Sequence, residues 1–308
     1  MKTVFFGAPD FAAESLLALI EGGHEILAVV SQPDKGRGRS GKPVPTPVGQ
    51  IALEKGILLL RPEKIRDKDL EGQLRELSAE IFIVAAYGQF LPLRLLNMPE
   101  HGAVNVHASL LPKYRGASPV ATAIIKGESI TGISIMQMAK GMDTGPVLHM
   151  REIEIAGDDT AGSLTAKLAK LGGEALLEAL DMIKEGRAVP VPQDDNLATY
   201  APLFTKEMGL MDFSKSANEA ANLVRGLDPW PGAYVNIPGG TLKIWRAASS
   251  ADSHNTAPGT ILSADSRGIR VACKDGVLEL LEVQAPGGKR LAAVEYIKGR
   301  QVPIGQVL

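Results

Sequence analysis

A chain of 308 residues, 45% hydrophobic and 22% charged, has an ordinary globular composition and is long enough for about two domains. Its net charge of −2 argues against a general nucleic-acid binder, although residues 206–308 carry 12 Lys and Arg against 10 Asp and Glu, which permits an anionic partner there. The single cysteine, Cys273, excludes an internal disulfide and a cysteine-based zinc cluster, and no run of about 18 apolar residues offers a membrane-spanning helix.

Met1–Gly7 reads as a first β-strand, not as a signal peptide, so an intracellular, cytoplasmic location is expected. The apolar run Thr3–Phe6 is followed by leucines at helical spacing in Ala12–Ile20, and then by a second strand, Ile26–Val30. Helical character in Gln50–Lys55 and Lys68–Leu77 precedes the buried run Ile81–Ala86. Ala103–His107 reads as another strand, Val120–Ile125 as a helix and Gly132–Met138 as a strand. Continuous apolar strands separated by helices point to a parallel-rich sheet covered on both faces, a Rossmann-like α/β domain. Alternation in Val147–Ile155 suggests a strand at or near the sheet edge. Leu164–Ile183 is the clearest helix, with Thr160 as its N-cap and Gly186 as its stop.

The pattern then changes. Residues 188–205, rich in proline and polar residues, read as a linker between a domain at 1–187 and a smaller one at 206–308. Beyond it a short helix, Ala217–Arg225, is followed by strands broken at Pro238-Gly-Gly, Pro258-Gly, Lys274-Asp-Gly and Pro286-Gly-Gly. Short strands at that spacing suggest a small antiparallel β-barrel or sandwich.

The turn after the first strand, Gly7-Ala-Pro-Asp, holds one glycine where a dinucleotide site needs three, and Pro9 removes an amide donor. A nicotinamide enzyme is thereby disfavoured, as is an ATPase, since no Walker loop is present. The segment Asp34–Val48 interleaves Lys35, Arg37, Arg39 and Lys42 with glycines and prolines, which suits either a solvated loop or a contact to a polyanion.

Chemistry is concentrated in Asn105-Val-His-Ala-Ser-Leu-Leu-Pro-Lys-Tyr-Arg-Gly116. Asn105 and His107 are two apart on a strand and share a face, at the carboxyl end where α/β sheets bind ligands. Two polar side chains on one face of an apolar strand are costly unless paired or used. Asp143, in Lys140-Gly-Met-Asp-Thr-Gly-Pro146, can reach His107 if the strands before the two motifs are neighbours. An amide, an imidazole and a carboxylate together suit acyl or formyl transfer.

These strings, with Gly7-Ala-Pro-Asp-Phe11 at the start and Asp228-Pro-Trp-Pro-Gly232 downstream, resemble the formyltetrahydrofolate-dependent formyltransferases along the whole chain, and their tRNA-directed members in particular. Ser118 stands where the family usually has alanine, a change expected to be neutral. The resemblance implies that Asn105, His107 and Asp143 are catalytic and that Ser109, Leu110, Leu111 and Pro112 help wall the folate, with backbone contacts from around 86–89. It implies 10-formyltetrahydrofolate as donor, methionyl initiator tRNA as acceptor, and Arg37, Arg39 and Lys42 as tRNA contacts. An OB-like β-barrel is expected for the C-terminal domain, and a monomer with no metal and no membrane partner. Formyl transfer to a small amine, formate-releasing hydrolysis and a non-catalytic binding module are the competing readings.

Overall fold

The computed structural model describes residues 1–36 and 41–308. The chain forms two compact units: Met1–Gly116 with Ile130–Ile153 and Thr165–Ala201, and Ala117–Ser129 with Glu154–Leu164 and Pro202–Leu308.

The first unit is built on seven strands, β1 (Lys2–Gly7), β2 (Glu25–Val30), β3 (Leu59–Leu60), β4 (Ile81–Ala85), β5 (Ala103–His107), β6 (Ile130–Gln137) and β7 (Val147–Glu154). Their order across the sheet is β7-β6-β5-β4-β1-β2-β3. The pairs β1–β2, β1–β4, β4–β5 and β2–β3 are parallel. Every residue of β4 and β5 is buried, as expected of strands covered on both faces. β7, with its alternating sequence, lies at the sheet edge. The helix Asp10–Glu21 buries Ala12, Leu16 and Leu19 on one stripe, each leucine contributing roughly 1.5–3 kcal/mol. The long helix runs from Ala161 to Lys184, and the Thr160 hydroxyl accepts from the Ser163 amide at 3.1 Å, as the N-cap reading required.

Gly7 ends β1 for a packing reason. A Cβ there would lie 2.7 Å from the Phe5 ring and 2.8 Å from Ala12 Cβ, so the turn into the first helix excludes any side chain.

One pairing departs from the parallel pattern. β6 runs antiparallel to β5, with Val104 opposite Gln137 and His107 opposite Ser134. The carboxyl end of β6 is therefore beside the amino end of β5, not beside His107.

In the second unit, β8 (Ala233–Ile237), β9 (Gly240–Ser250), β10 (Ile261–Asp265), β11 (Gly268–Ala272), β12 (Val277–Gln284) and β13 (Arg290–Ala292) form one antiparallel sheet. The order is β8-β9-β12-β11-β10, with β13 also on β12. Among the described residues no pairing joins β8 to β10. Register shifts around Arg246 and between Ile261 and Ser263 bend two of the strands. The helix Ala217–Gly226 starts on a capping box made by Ser216 and Glu219. Its Ala220 and Val224 join Ile244, Val271, Leu278 and Leu280 in the core. Cys273 belongs to that core, just past β11, and burial pushes its thiol up to about 11. Trp245 is also buried, donating to Gln284 Oε1 at 2.9 Å with the Arg290 guanidinium 3.5 Å from its ring centroid, whereas Trp230 is exposed.

Candidate active site

Asn105 and His107 share one face of β5, and both are buried. Strand geometry fixes their direction, and the turn that follows fixes the imidazole. His107 Nε2 is 3.0 Å from the carbonyl oxygen of Tyr114. A carbonyl only accepts, so the ring proton is on Nε2 and Nδ1 is the nitrogen left for chemistry. Nδ1 faces Asp143 Oδ2 at 3.7 Å. No hydrogen bond from the Asn105 side-chain amide to another described residue is found. The three residues singled out from the sequence are thus placed within one unit, and His107 and Asp143 face each other.

Asp143 gets there by an unexpected route. Because β6 ends beside Val104, residues 138–146 must double back along the sheet to carry the carboxylate towards His107. The Met138 amide donates to the Ala103 carbonyl and the Gln137 amide to the Pro146 carbonyl, which close this excursion. Gly145 permits it, since a Cβ there would lie 1.7 Å from the Gln137 carbonyl oxygen. Asp143 itself has φ +52°, an unusual backbone state for a residue with a side chain. Its Oδ2 accepts from the Gly116 amide at 2.8 Å.

The turn Ser109–Pro112 is held from beneath by Ser134. The Ser134 hydroxyl accepts from the Leu111 amide at 3.0 Å and donates to the Ser109 carbonyl at 2.7 Å. The Ser109 hydroxyl in turn donates to the Lys113 carbonyl at 2.6 Å. Ser109 and Leu111 are buried, while Leu110 and Pro112 are partly exposed. A cavity of about 480 Å3 reaches Asp143 and is lined by Phe90, Leu91, Met136, Met138 and Lys140 among others; none of residues 109–112 lines it. Of the three basic residues expected at tRNA, Arg37 and Arg39 lie outside the described residues, and Lys42 is exposed.

Sequence reasoning passed over a group of supporting residues in the segment 193–199. Gln193 Nε2 donates to the carbonyls of Asp143 at 2.8 Å and Gly145 at 2.7 Å. Its Oε1 accepts from Arg115 Nε at 3.0 Å, and the buried Arg115 also pairs with Asp195 at 2.8 Å. The Thr199 hydroxyl accepts from the Tyr114 amide at 2.9 Å. Nothing periodic marks these residues; their only signal was the run of polar side chains among prolines.

Residues 1–180 match the formyl transferase family, and residues 204–301 match its C-terminal domain. The methionyl-tRNA formyltransferase of Caldanaerobacter subterraneus subsp. tengcongensis is 47% identical over 309 residues, covering 100% of both chains. The chain belongs to the methionyl-tRNA formyltransferase family. A second member, from Ruminiclostridium cellulolyticum, is 44% identical over 310 residues, covering 100% of this chain and 99% of the relative. Among solved structures, the sugar 3N-formyl transferase WlaRD, determined with dTDP and 5-N-formyl-THF, superposes with a TM-score of 0.68 at 18% identity. That match covers 90% of this chain and 96% of WlaRD, and it speaks for the fold alone. The range matched to the formyl transferase family contains Asn105, His107 and Asp143, whereas Gln193, Asp195 and Thr199 fall between the two matched ranges.

Proposed function

We propose that this formyltransferase moves the formyl group of 10-formyltetrahydrofolate to the α-amine of methionine esterified to initiator tRNA, using Asn105, His107 and Asp143. The observation that carries this reading is the buried His107 held between an accepting carbonyl and a carboxylate, in a chain related end to end to methionyl-tRNA formyltransferases.

The amine nitrogen attacks the formyl carbon, a new C–N bond forms, and the carbonyl electrons move onto oxygen. Collapse of that tetrahedral species breaks the bond to the folate nitrogen, which takes up a proton while the amine loses one. Asn105 supplies a side-chain N–H to the oxyanion. With Nε2–H committed to Tyr114, His107 meets the substrate through Nδ1. As a lone pair Nδ1 accepts the amine proton; once protonated it donates to the oxyanion, and Asp143 stabilises the resulting imidazolium. Free α-amines titrate near about 7.7–8.0, so little general-base strength is needed to begin.

Ser109 to Pro112 form one wall for the folate, and Arg37, Arg39 and Lys42 contact phosphates of the acceptor end. Phosphate contacts depend on local and not total charge, which reconciles a net charge of −2 with an RNA substrate. The test is an acceptor panel: methionine-charged initiator tRNA, charged elongator tRNA, and small amines including an amino sugar nucleotide. Strong preference for the initiator, with a Michaelis constant that rises with salt, is the expected result. Transfer only to small amines would overturn the acceptor assignment and leave the chemistry standing.

A further inference from the structure

We infer that Gln193 is a positioning residue for formyl transfer, acting through Asp143; the inference rests on the assignment of Asp143 proposed above. The side chain of Gln193 makes three of the four hydrogen bonds open to it, all of them around the site. Both amide protons go to backbone carbonyls of the loop that carries the carboxylate, those of Asp143 and Gly145. Its oxygen is taken by Arg115 Nε, and the Arg115 guanidinium is buried and further held by Asp195.

Two features make this more than a scaffold contact. First, the residue being held is in an unfavourable conformation. Asp143 has φ +52°, and the loop folds back on itself at Gly145 with no room for a side chain. Backbone states of this kind persist only where surrounding bonds over-determine them. Gln193 supplies two of those bonds, one on Asp143 and one two residues later. Second, the same strap fixes the other side of the imidazole. Thr199 takes the Tyr114 amide, its carbonyl takes the Arg115 amide at 2.9 Å, and Tyr114 presents its own carbonyl to His107 Nε2. Residues 193–199 thus brace the partners of both ring nitrogens. A small displacement of Asp143 would lengthen a contact that already stands at 3.7 Å.

The experiment uses the full-length enzyme with charged initiator tRNA and formyl-folate. Gln193→Met removes both donors and the acceptor at similar volume, and Gln193→Glu removes the donors while keeping an acceptor for Arg115. For both, kcat should fall by roughly 10- to 100-fold, as expected of a misplacement on the ångström scale, with the Michaelis constants for both substrates nearly unchanged. Combining Gln193→Met with Asp143→Asn should cost no more than Asp143→Asn alone, because one residue acts through the other. Multiplicative losses in the double variant, a loss confined to the Michaelis constants, or a wild-type kcat in folded Gln193→Glu would each overturn the inference. Failure of both single variants to fold would make Gln193 a folding residue and overturn it too. Absence of wild-type transfer, or an Asp143→Asn enzyme as fast as wild type, would refute the proposed function itself, and this inference with it.

Discussion

Replacing Asp143 with asparagine isolates the charge from the geometry. The Asn side-chain oxygen can keep the Gly116 amide that Asp143 Oδ2 now accepts at 2.8 Å, so folding stability should change by less than about 1 kcal/mol. What is lost is a carboxylate 3.7 Å from His107 Nδ1. At that separation a unit charge pair is worth about 4 kcal/mol at an effective dielectric of about 20, and only in states where the imidazole is protonated. The neutral amide supplies no countercharge to an imidazolium. The loss therefore falls on the transition state, with an upper bound of roughly 10³-fold in kcat. Partial solvent access to Asp143, whose side chain is 17% exposed, brings the expected loss to about 10²- to 10³-fold. Single-turnover formylation of charged tRNA at saturating donor measures it directly. An Asp143→Asn rate within about threefold of wild type would refute the electrostatic role of the carboxylate.

The remaining expectations concern the support of the site and the second unit. Ser134→Ala would orphan the buried Leu111 amide and Ser109 carbonyl, costing roughly 1–3 kcal/mol and raising the Michaelis constant for the folate more than it lowers kcat; denaturant titration and steady-state kinetics would show it. Ser216→Ala breaks the capping box and should cost about 1 kcal/mol in the second unit, read from its unfolding midpoint. Cys273 should resist thiol reagents in the native protein at pH 8 and react fully in denaturant. Its folded pKa is raised to about 11 from an ordinary 9.0, so the neutral thiol is favoured in the folded state. The associated stability is present below pH 9 and lost as pH rises towards 11, by roughly 2–3 kcal/mol, and Cys273→Ala should flatten that alkaline slope.

The α/β framework was legible because its signals are local: short apolar runs in β1, β4 and β5, and leucines repeating along Leu164–Ile183, report burial wherever the elements end up. Asn105 and His107 were legible for the same reason, since strand periodicity alone puts them on one face. Asp143 was found by its motif, yet the path that brings it to His107 was not. Whether β6 runs with or against β5 depends on how the chain between them returns, and a buried apolar strand reads the same in both directions. The strap at 193–199 was harder still. Its bonds join residues 50 to 85 positions apart through single side chains, and such pairings leave no periodicity. Prolines and polar residues marked residues 188–205 as a linker, while the structure includes those up to Ala201 in the first unit. In the second unit the four turn signals fall between strands of the sheet, but the hairpin turn between Asp265 and Gly268 was not among them, and which strands pair depends on long-range register, which turn residues do not encode.

The most direct measurement follows the formyl carbon itself. Isotopically labelled 10-formyltetrahydrofolate is mixed with excess enzyme and methionine-charged initiator tRNA, and the aminoacyl ester is hydrolysed and analysed after a single turnover. One equivalent of label on the methionine α-nitrogen, lost in parallel in His107→Ala, is the expected result. Label recovered as free formate, or transfer undiminished in His107→Ala, would contradict the assignment of this site to formyl transfer.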